Sequence, residues 1–288
     1  MIPVVVASSS VAVVTDSTAY LPETVTDKYG IRVIPLHVVV SGVSGREGIE
    51  VTPADVARAL QYRHLRVTTS RPSPMEFAEV YAELLDAGVS GVVSIHLSAH
   101  LSSTYDSAVT AAVGFGDQVA VVDARSTGMG LGFPVLAAAQ AAQEGGDLDQ
   151  VRRAAEQAAA RTTALFYVDS LEYLRRGGRI SAAEALVGTA LSVKPILHVA
   201  DGRVVVKERV RTTSRALARL EELAVHAAGG DEVDIAVHYL QNPERAAAFG
   251  ERLTARLSKV RHLYTCEVGA AVAAHVGPGL LGVVVSRV

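Results

Sequence analysis

Residues 91–123 read GVVSIHLSAHLSSTYDSAVTAAVGFGDQVAVVD, and this stretch decides the fold class. The β-branched apolar runs at its two ends, residues 91–97 and 119–123, predict buried strands. Between them, residues 102–113 carry apolar positions at helical spacing behind serines that suit a helix start. A strand, a helix and a second strand in this order form a βαβ unit, whose strands run parallel. The stretch therefore predicts an α/β protein.

The same alternation extends to both sides of this stretch. The pairs Thr52-Pro53 and Ser73-Pro74 predict helix starts, because a hydroxyl residue caps the helix and proline fits the first helical position. Residues 11–15 and 33–40 read as further strands, and residues 128–144 as a long helix. We expect residues 1–160 to form an N-terminal α/β domain with a mostly parallel sheet and flanking helices.

The pattern changes after residue 160. Asp201-Gly202 separates two β-rich runs, which predicts a tight β-hairpin and hence antiparallel pairing. Helices and strands then alternate to residue 286. We expect residues 161–288 to form a C-terminal mixed α+β domain.

Composition narrows the class of function. The net charge is −3, with acidic and basic residues interspersed, so no nucleic-acid partner is expected. The single cysteine, Cys266, excludes an internal disulfide and a cysteine-based zinc site, and it favours a cytoplasmic location. No run approaches the 18 or so apolar residues of a membrane span. Residues 1–10 lack a basic leader and read as a short extension before the first strand.

Two clusters of hydroxyl residues, VTTSRPS at 67–73 and SAHLSSTY at 98–105, are the candidate functional motifs. Each lies where a strand gives way to a helix. Hydroxyls and free backbone N–H groups at a helix start hold an anion well. Neither cluster contains a metal-ligand set or a phosphate-loop lysine. We therefore expect binding of an acidic small molecule, with no cofactor and no metal.

Seven short motifs occur in order along the chain: TDSTA at 15–19, IPL at 34–36, TSRPS at 69–73, LSSTY at 101–105, GGRIS at 177–181, KPI at 194–196 and HVGPG at 275–279. In this ordered set the sequence resembles the DegV family, bacterial proteins that bind fatty acids and present them to a fatty acid kinase. The resemblance extends from residue 13 to the C-terminus.

The resemblance implies a long-chain fatty acid, such as palmitate, stearate or oleate, in a tunnel between the two domains, with its carboxylate held by hydroxyls. Thr69 and Ser102 would bind the head group, with His275 in the same network and Arg179 close by. It also implies that Arg211 docks on the kinase, which forms the acyl phosphate, and that the chain is not itself an enzyme. The expected ligand contacts are Thr69, Ser70, Ser98, Ser102, Arg179 and His275.

The sequence departs from the family pattern beside the head group. Where the family usually has Ser-Ser-Gly-Leu-Ser-Gly-Thr-Tyr, this chain has Ala99, His100 and Ser103 in place of a serine and two glycines. Arg71 replaces the usual glutamine. A histidine in place of glycine matters if the backbone there needs positive φ.

Each candidate also has a purely structural interpretation. Thr69 and Ser70 precede a proline and can form a turn that caps the next helix. Ser102 can be a simple helix cap, and His275 can stabilise a helix end. The basic stretch around Arg211 is by default a solvated surface, although it also suits a regulatory interaction module.

An α/β enzyme is the remaining alternative. Residues 128–132 form a glycine-rich turn after a strand, but Phe133 occupies the third glycine position of a dinucleotide-binding motif. A hydrolase could combine Ser98 or Ser102 with His275 and Asp123, yet no G-x-S-x-G elbow is present.

Overall fold

The computed structural model describes residues 11–62, 65–181 and 193–288, so the extension expected at residues 1–10 lies outside the described residues. The first seven strands are β1 (Val11–Asp16), β2 (Arg32–Ile34), β3 (His37–Val40), β4 (Val43–Arg46), β5 (Val67–Ser70), β6 (Gly91–His96) and β7 (Val119–Asp123). The later strands are β8 (Thr162–Tyr167), β9 (Lys194–Ala200), β10 (Arg203–Val210), β11 (Val233–Tyr239), β12 (Val260–Glu267) and β13 (Leu281–Arg287).

The helices in the described ranges are α1 (Glu23–Tyr29), α2 (Pro53–Leu60), α3 (Pro74–Asp86), α4 (Thr104–Ala112), α5 (Met129–Gln143), α6 (Leu148–Ala160), α7 (Glu172–Arg176), α8 (Thr213–Ala228), α9 (Pro243–Arg256) and α10 (Ala270–Val276). Capping boxes begin α2 at Thr52 and α3 at Ser73, which confirms both predicted helix starts.

The first half is built on a parallel sheet, which confirms the predicted α/β class. Its strand order is β2-β1-β6-β7, and each neighbouring pair runs parallel. Helices α3 and α4 pack on one face of this sheet, and α5 and α6 on the other. All six residues of β6 are buried as a result, which explains the unbroken apolar run in the sequence.

The prediction of a single strand over residues 33–40 was wrong. The chain leaves the parallel sheet at Pro35, since proline cannot donate to a strand ladder. β3 then pairs with β4 and β5 in a separate antiparallel sheet of order β4-β3-β5, here called the small sheet. The small sheet carries Thr69 on β5.

The second half is built on a mixed sheet of order β10-β9-β8-β13-β11-β12, in which β11 and β12 are parallel and the other pairs antiparallel. The hairpin predicted at Asp201-Gly202 is confirmed: it joins β9 to β10, with φ values of 49° and 77°. Two consecutive positive φ angles match the twist of the strands, and glycine adopts them without strain. The domain boundary at residue 160 stays a prediction; it falls between α6 and β8.

Candidate ligand-binding site

A cavity opens where the loops after β1, β6 and β7 face the mixed sheet, the small sheet and α10. It contains about 900 Å³ of space not filled by protein atoms, counting its open mouth. Loops at the carboxyl ends of parallel strands are the usual ligand-binding edge of such sheets. Most of its wall is aliphatic, including Leu36, Leu101, Val199, Val204, Val272 and Leu280.

A small group of polar residues interrupts this apolar wall. They are Thr18, Tyr20, Thr69, Ser102, Thr127, Arg179, His238 and His275. Four of them were predicted from the sequence as ligand contacts, namely Thr69, Ser102, Arg179 and His275. The fold therefore brings these four to one cavity, although they lie on four separate segments.

Thr69 and His275 form a hydrogen-bonded pair across 206 residues of sequence. The hydroxyl of Thr69 on β5 lies 2.9 Å from Nε2 of His275 near the end of α10. The other ring nitrogen, Nδ1, is buried and has no hydrogen-bond partner among the described residues. Burial, and then the charge of Arg179, lower the pKa of His275 to about 4. The imidazole is therefore neutral at pH 7.

Arg179 supplies the positive charge of the cavity. Its Nε donates to the carbonyl of Leu101 at 3.0 Å, and its Nη1 donates to the carbonyl of Gly177. Burial lowers the pKa of this guanidinium, but arginine still keeps its proton at neutral pH. Among the described residues that line the cavity, no other arginine or lysine and no acidic residue occurs.

Ser102 is not the helix cap that the sequence allowed. Helix α4 begins at Thr104, and Ser103 holds the cap position without a side-chain bond. The Ser102 hydroxyl lies 2.9 Å from the Thr104 hydroxyl and accepts from the Thr104 backbone N–H at 3.3 Å. It thus remains at the cavity wall, two residues before the first residue of the helix.

Ser70 and Ser98 do not line the cavity. Ser70 follows Thr69 on the same strand and is exposed, because successive strand residues point to opposite faces. Ser98 is fully buried and donates to the carbonyl of Gly202 at 2.7 Å, which ties the hairpin turn to the loop after β6. The geometry gives neither serine a route to a ligand in this cavity, and we leave both out of the proposed contacts.

The departures from the family pattern cause no backbone strain. Ser103 has φ −75°, and His100 is not among the residues with positive φ, so neither position requires glycine. His100 and Arg71 are exposed and lie outside the residues that line the cavity.

Sequence reasoning missed His238, which lies on the buried strand β11. Its Nε2 accepts from the Met129 backbone N–H at 2.8 Å, and Nδ1 lies 3.3 Å from the Cys266 carbonyl, to which it donates. Burial lowers the pKa of His238 to about 4. A histidine directly after the apolar run 235–237 was the available signal. Sequence reasoning also missed Thr18, Tyr20 and Thr127, although Thr18 lies within the TDSTA motif.

The residues of the hydrolase alternative do not form a hydrogen-bonded catalytic triad. His275 is bonded to Thr69, while the Asp123 carboxylate accepts from the backbone N–H of Arg125 at 2.7 Å and of Ala99 at 3.4 Å. The glycine-rich run 128–132 instead starts α5, where a Cβ on Gly132 would lie 2.8 Å from the Ala19 carbonyl. Gly132 thereby allows close packing between α5 and the loop after β1.

In the described part of the chain, no helix is both long and apolar enough to cross a membrane. Within the same ranges, no cluster of three or more histidine, cysteine or acidic side chains could hold a metal ion.

Comparison with known proteins identifies the family. Residues 10–288 match a profile described as "Uncharacterised protein, DegV family". A DegV domain-containing protein of Streptomyces coelicolor is 53% identical over 279 residues, covering 97% of this chain and 99% of that protein. The structure of a fatty acid-binding DegV family protein from Thermus thermophilus superposes with a TM-score of 0.91 at 34% identity, covering 97% and 100% of the two chains. DegV of Bacillus subtilis, a fatty acid-binding protein, gives 0.87 at 34% identity, covering 98% and 100%. The chain therefore belongs to the DegV family.

Proposed function

We propose that this protein binds one long-chain fatty acid in the cavity, which then serves as a tunnel between the two domains. The carboxylate would lie beside Thr69, Ser102 and Arg179, and the acyl chain along the aliphatic wall. The observation that carries this proposal is that one cation, Arg179, and the hydroxyls of Thr69 and Ser102 line a cavity whose described wall is mostly aliphatic. The similarity to two fatty acid-binding DegV proteins supports it.

The apolar wall supplies most of the affinity in this proposal. Each buried methylene contributes roughly 0.8 kcal/mol, so about fifteen contribute on the order of 12 kcal/mol before the cost of association. The head group need only avoid being buried without partners, which would cost an ion several kcal/mol. Arg179 offsets the charge, and the hydroxyls of Thr69 and Ser102 provide hydrogen bonds.

The neutral state of His275 determines how Thr69 acts. If Nε2 carries the ring proton, it donates to the Thr69 oxygen, and the Thr69 hydroxyl proton is left to point at the carboxylate. The unpaired Nδ1 is then an acceptor without a donor, rather than a buried N–H without an acceptor. This tautomer is the one we propose for the ligand-bound protein.

We further propose that the protein presents its fatty acid to a fatty acid kinase in the cytoplasm and does not itself catalyse a reaction. Arg211 is exposed and directly follows β10, and Val204 near the start of that strand lines the cavity. A partner that docks at Arg211 would therefore touch the strand that forms part of the ligand wall.

Denaturing extraction of the purified protein, followed by mass spectrometry, tests the ligand. We expect a stoichiometric long-chain fatty acid, or stoichiometric reloading with palmitate, stearate or oleate. Failure to bind any of these acids would reject the proposal and favour an interaction module or an enzyme.

The double substitution Thr69→Val with Ser102→Ala tests the head-group assignment. Loss of two hydrogen bonds to a charged group should lower palmitate affinity by about 10- to 100-fold, without unfolding the protein. Ser70→Ala is the matched control, since it removes the neighbouring hydroxyl outside the cavity. Equal affinity of the double variant and the control would reject the assignment.

Arg211→Glu tests the docking assignment. It should leave palmitate affinity unchanged and slow the acyl phosphate formation that the kinase carries out. Arg58→Glu, an exposed charge reversal on α2, is the control. Equal kinase rates with both variants would remove Arg211 from the interface.

A further inference from the structure

Glu47 is a buried carboxylate that lies outside the proposed ligand contacts. It follows β4 of the small sheet and is 4% exposed. Three donors converge on it: the hydroxyl of Ser17, the hydroxyl of Tyr20 at 3.4 Å, and the backbone N–H of Ala271 at 2.8 Å. Burial raises the pKa of Glu47, so the fold keeps this carboxylate out of water at a cost.

The hydrogen bond from the Ala271 backbone N–H to Glu47 provides an acceptor for the first turn of helix α10. The first N–H groups of a helix have no partner within the helix, and the cap residue of α10, Gly269, has no side chain to supply one. Glu47 supplies it from 224 residues away in sequence. A Cβ on Gly269 would lie 2.2 Å from Oε1 of Glu47, so only glycine leaves room for the carboxylate.

The same helix carries His275 at its other end. Ala271 and His275 are four residues apart, about one turn or 6 Å along the axis. Helix α10 is therefore held at two points: Glu47, directly after β4, binds its first turn, and Thr69 on β5 binds His275 in its last turn. With only seven residues, α10 has little internal stability, and its placement depends on such contacts.

We propose that Glu47 is a positioning residue: by holding the first turn of α10 against the small sheet, it sets Nε2 of His275 opposite the Thr69 hydroxyl. The consequence for ligand affinity rests on the proposed function, whereas the effect on His275 does not. Ser17 and Tyr20 lie after β1, so their hydrogen bonds to Glu47 extend the same junction to that loop. Ser17 also accepts from the backbone N–H of Leu36, between β2 and β3. The Glu47 carboxylate thus joins three segments of the chain around the hydrogen-bonded pair Thr69 and His275.

Glu47→Ala, Glu47→Gln and the control Glu50→Ala test this inference in the full-length protein. Glu50 is the same residue type three positions away, but it is exposed and bonds Arg46. The readouts are the ¹⁵N chemical shifts of His275 in histidine-labelled protein without ligand, assigned with His275→Gln, and the palmitate Kd. Urea unfolding measures stability separately.

We expect Glu47→Ala to shift the His275 ring signals and to weaken palmitate binding roughly tenfold. Glu47→Gln should restore most of both, because its amide oxygen still accepts from Ala271. Glu50→Ala should leave both unchanged. A folded Glu47→Ala protein with unchanged His275 signals, or a Glu47→Gln protein no better than the alanine variant, would overturn the inference.

Gly269→Ala provides a second route if Glu47→Ala fails to fold. The φ of Gly269 is −72°, which alanine adopts freely, so the new methyl acts by displacing the Glu47 carboxylate and the Tyr20 ring bonded to it, whose nearest atoms would lie 2.2 and 2.7 Å away. It should shift the His275 signals in the same way, and unchanged signals would overturn the inference. If the wild type binds no palmitate while the His275 signals respond to these variants, the proposed function fails and the positioning role stands.

Discussion

Two polar clusters of this protein use the same residue types and differ in what surrounds them. The core cluster consists of Tyr81, Ser94, His96 and Asp16, all of them 0% exposed. The cavity cluster consists of Thr69, Ser102, Arg179 and His275, all of them at the wall of an empty, apolar space.

In the core cluster, the hydrogen bonds form a continuous series from Tyr81 to Asp16. Tyr81 donates to Ser94 at 2.7 Å, Ser94 lies 2.7 Å from Nε2 of His96, and Nδ1 of His96 lies 3.0 Å from Asp16. Asp16 also accepts from the Leu97 N–H at 3.0 Å and from Thr18 through both its N–H and its hydroxyl. The order Ser–His–Asp is that of a hydrolase, but no substrate can reach it.

In the cavity cluster, some hydrogen-bonding groups are not fully used. Nδ1 of His275 has no partner in the described chain, and Arg179 donates only to carbonyls in the hydrogen bonds found there. Spare hydrogen-bonding capacity beside the cavity, rather than residue type, distinguishes the proposed binding site from the structural network. Three substitutions can break or sharpen this contrast.

Asp16→Ala should have the largest effect, on stability. It leaves four hydrogen bonds of the core cluster without an acceptor, and removing one partner from such a buried network costs about 3–5 kcal/mol. Urea unfolding measures the change, with Asp27→Ala on the surface as control. A loss no larger than that of the control would show that the core cluster is not the structural network we describe.

His275→Gln should change how stability depends on pH. The pKa of His275 in the folded protein is about 4, below its unfolded value of about 6.5, so the unfolded chain gains the proton first as pH falls. Stability is therefore lost between pH 6.5 and pH 4, by up to about 3 kcal/mol at 1.36 kcal/mol per unit.

Urea unfolding at pH 7 and pH 4.5 measures this dependence. The His275→Gln variant should lose less stability than the wild type over this interval, while His226→Gln, an exposed histidine on α8, should behave as the wild type. Equal losses in all three proteins would show that His275 titrates normally.

Ser98→Ala should have the smallest effect of the three. It leaves the Gly202 carbonyl without its side-chain donor, which costs about 1–2 kcal/mol of stability. Palmitate affinity should stay within about twofold, because Ser98 does not line the cavity. A large loss of affinity with intact stability would restore Ser98 as a ligand contact, as the sequence motif suggested.

Local features of this protein were predictable because their cause lies within a few residues. The hairpin at Asp201-Gly202 depends on two positive φ angles, and the starts of α2 and α3 depend on capping boxes that span four residues. The break at Pro35 also had a local cause, which the β-rich run on both sides obscured. The ordered motifs were sufficient for the family, and four of the six expected contacts do line the cavity.

Tertiary structure alone decided which of the similar hydroxyls, histidines and carboxylates form buried structural hydrogen bonds and which do not. Ser98 meets Gly202, Asp16 meets His96, and Glu47 meets Ala271 across 104, 80 and 224 residues of sequence. Which polar groups are paired and which face empty space depends on these distant contacts, because a hydrogen bond is satisfied by whichever group the fold brings within about 3 Å. The sequence by itself determined the α/β class, the hairpin and the family; the packing of α10 against the small sheet and of the hairpin onto the loop after β6 decided which of its serines, threonines and histidines form the cavity wall.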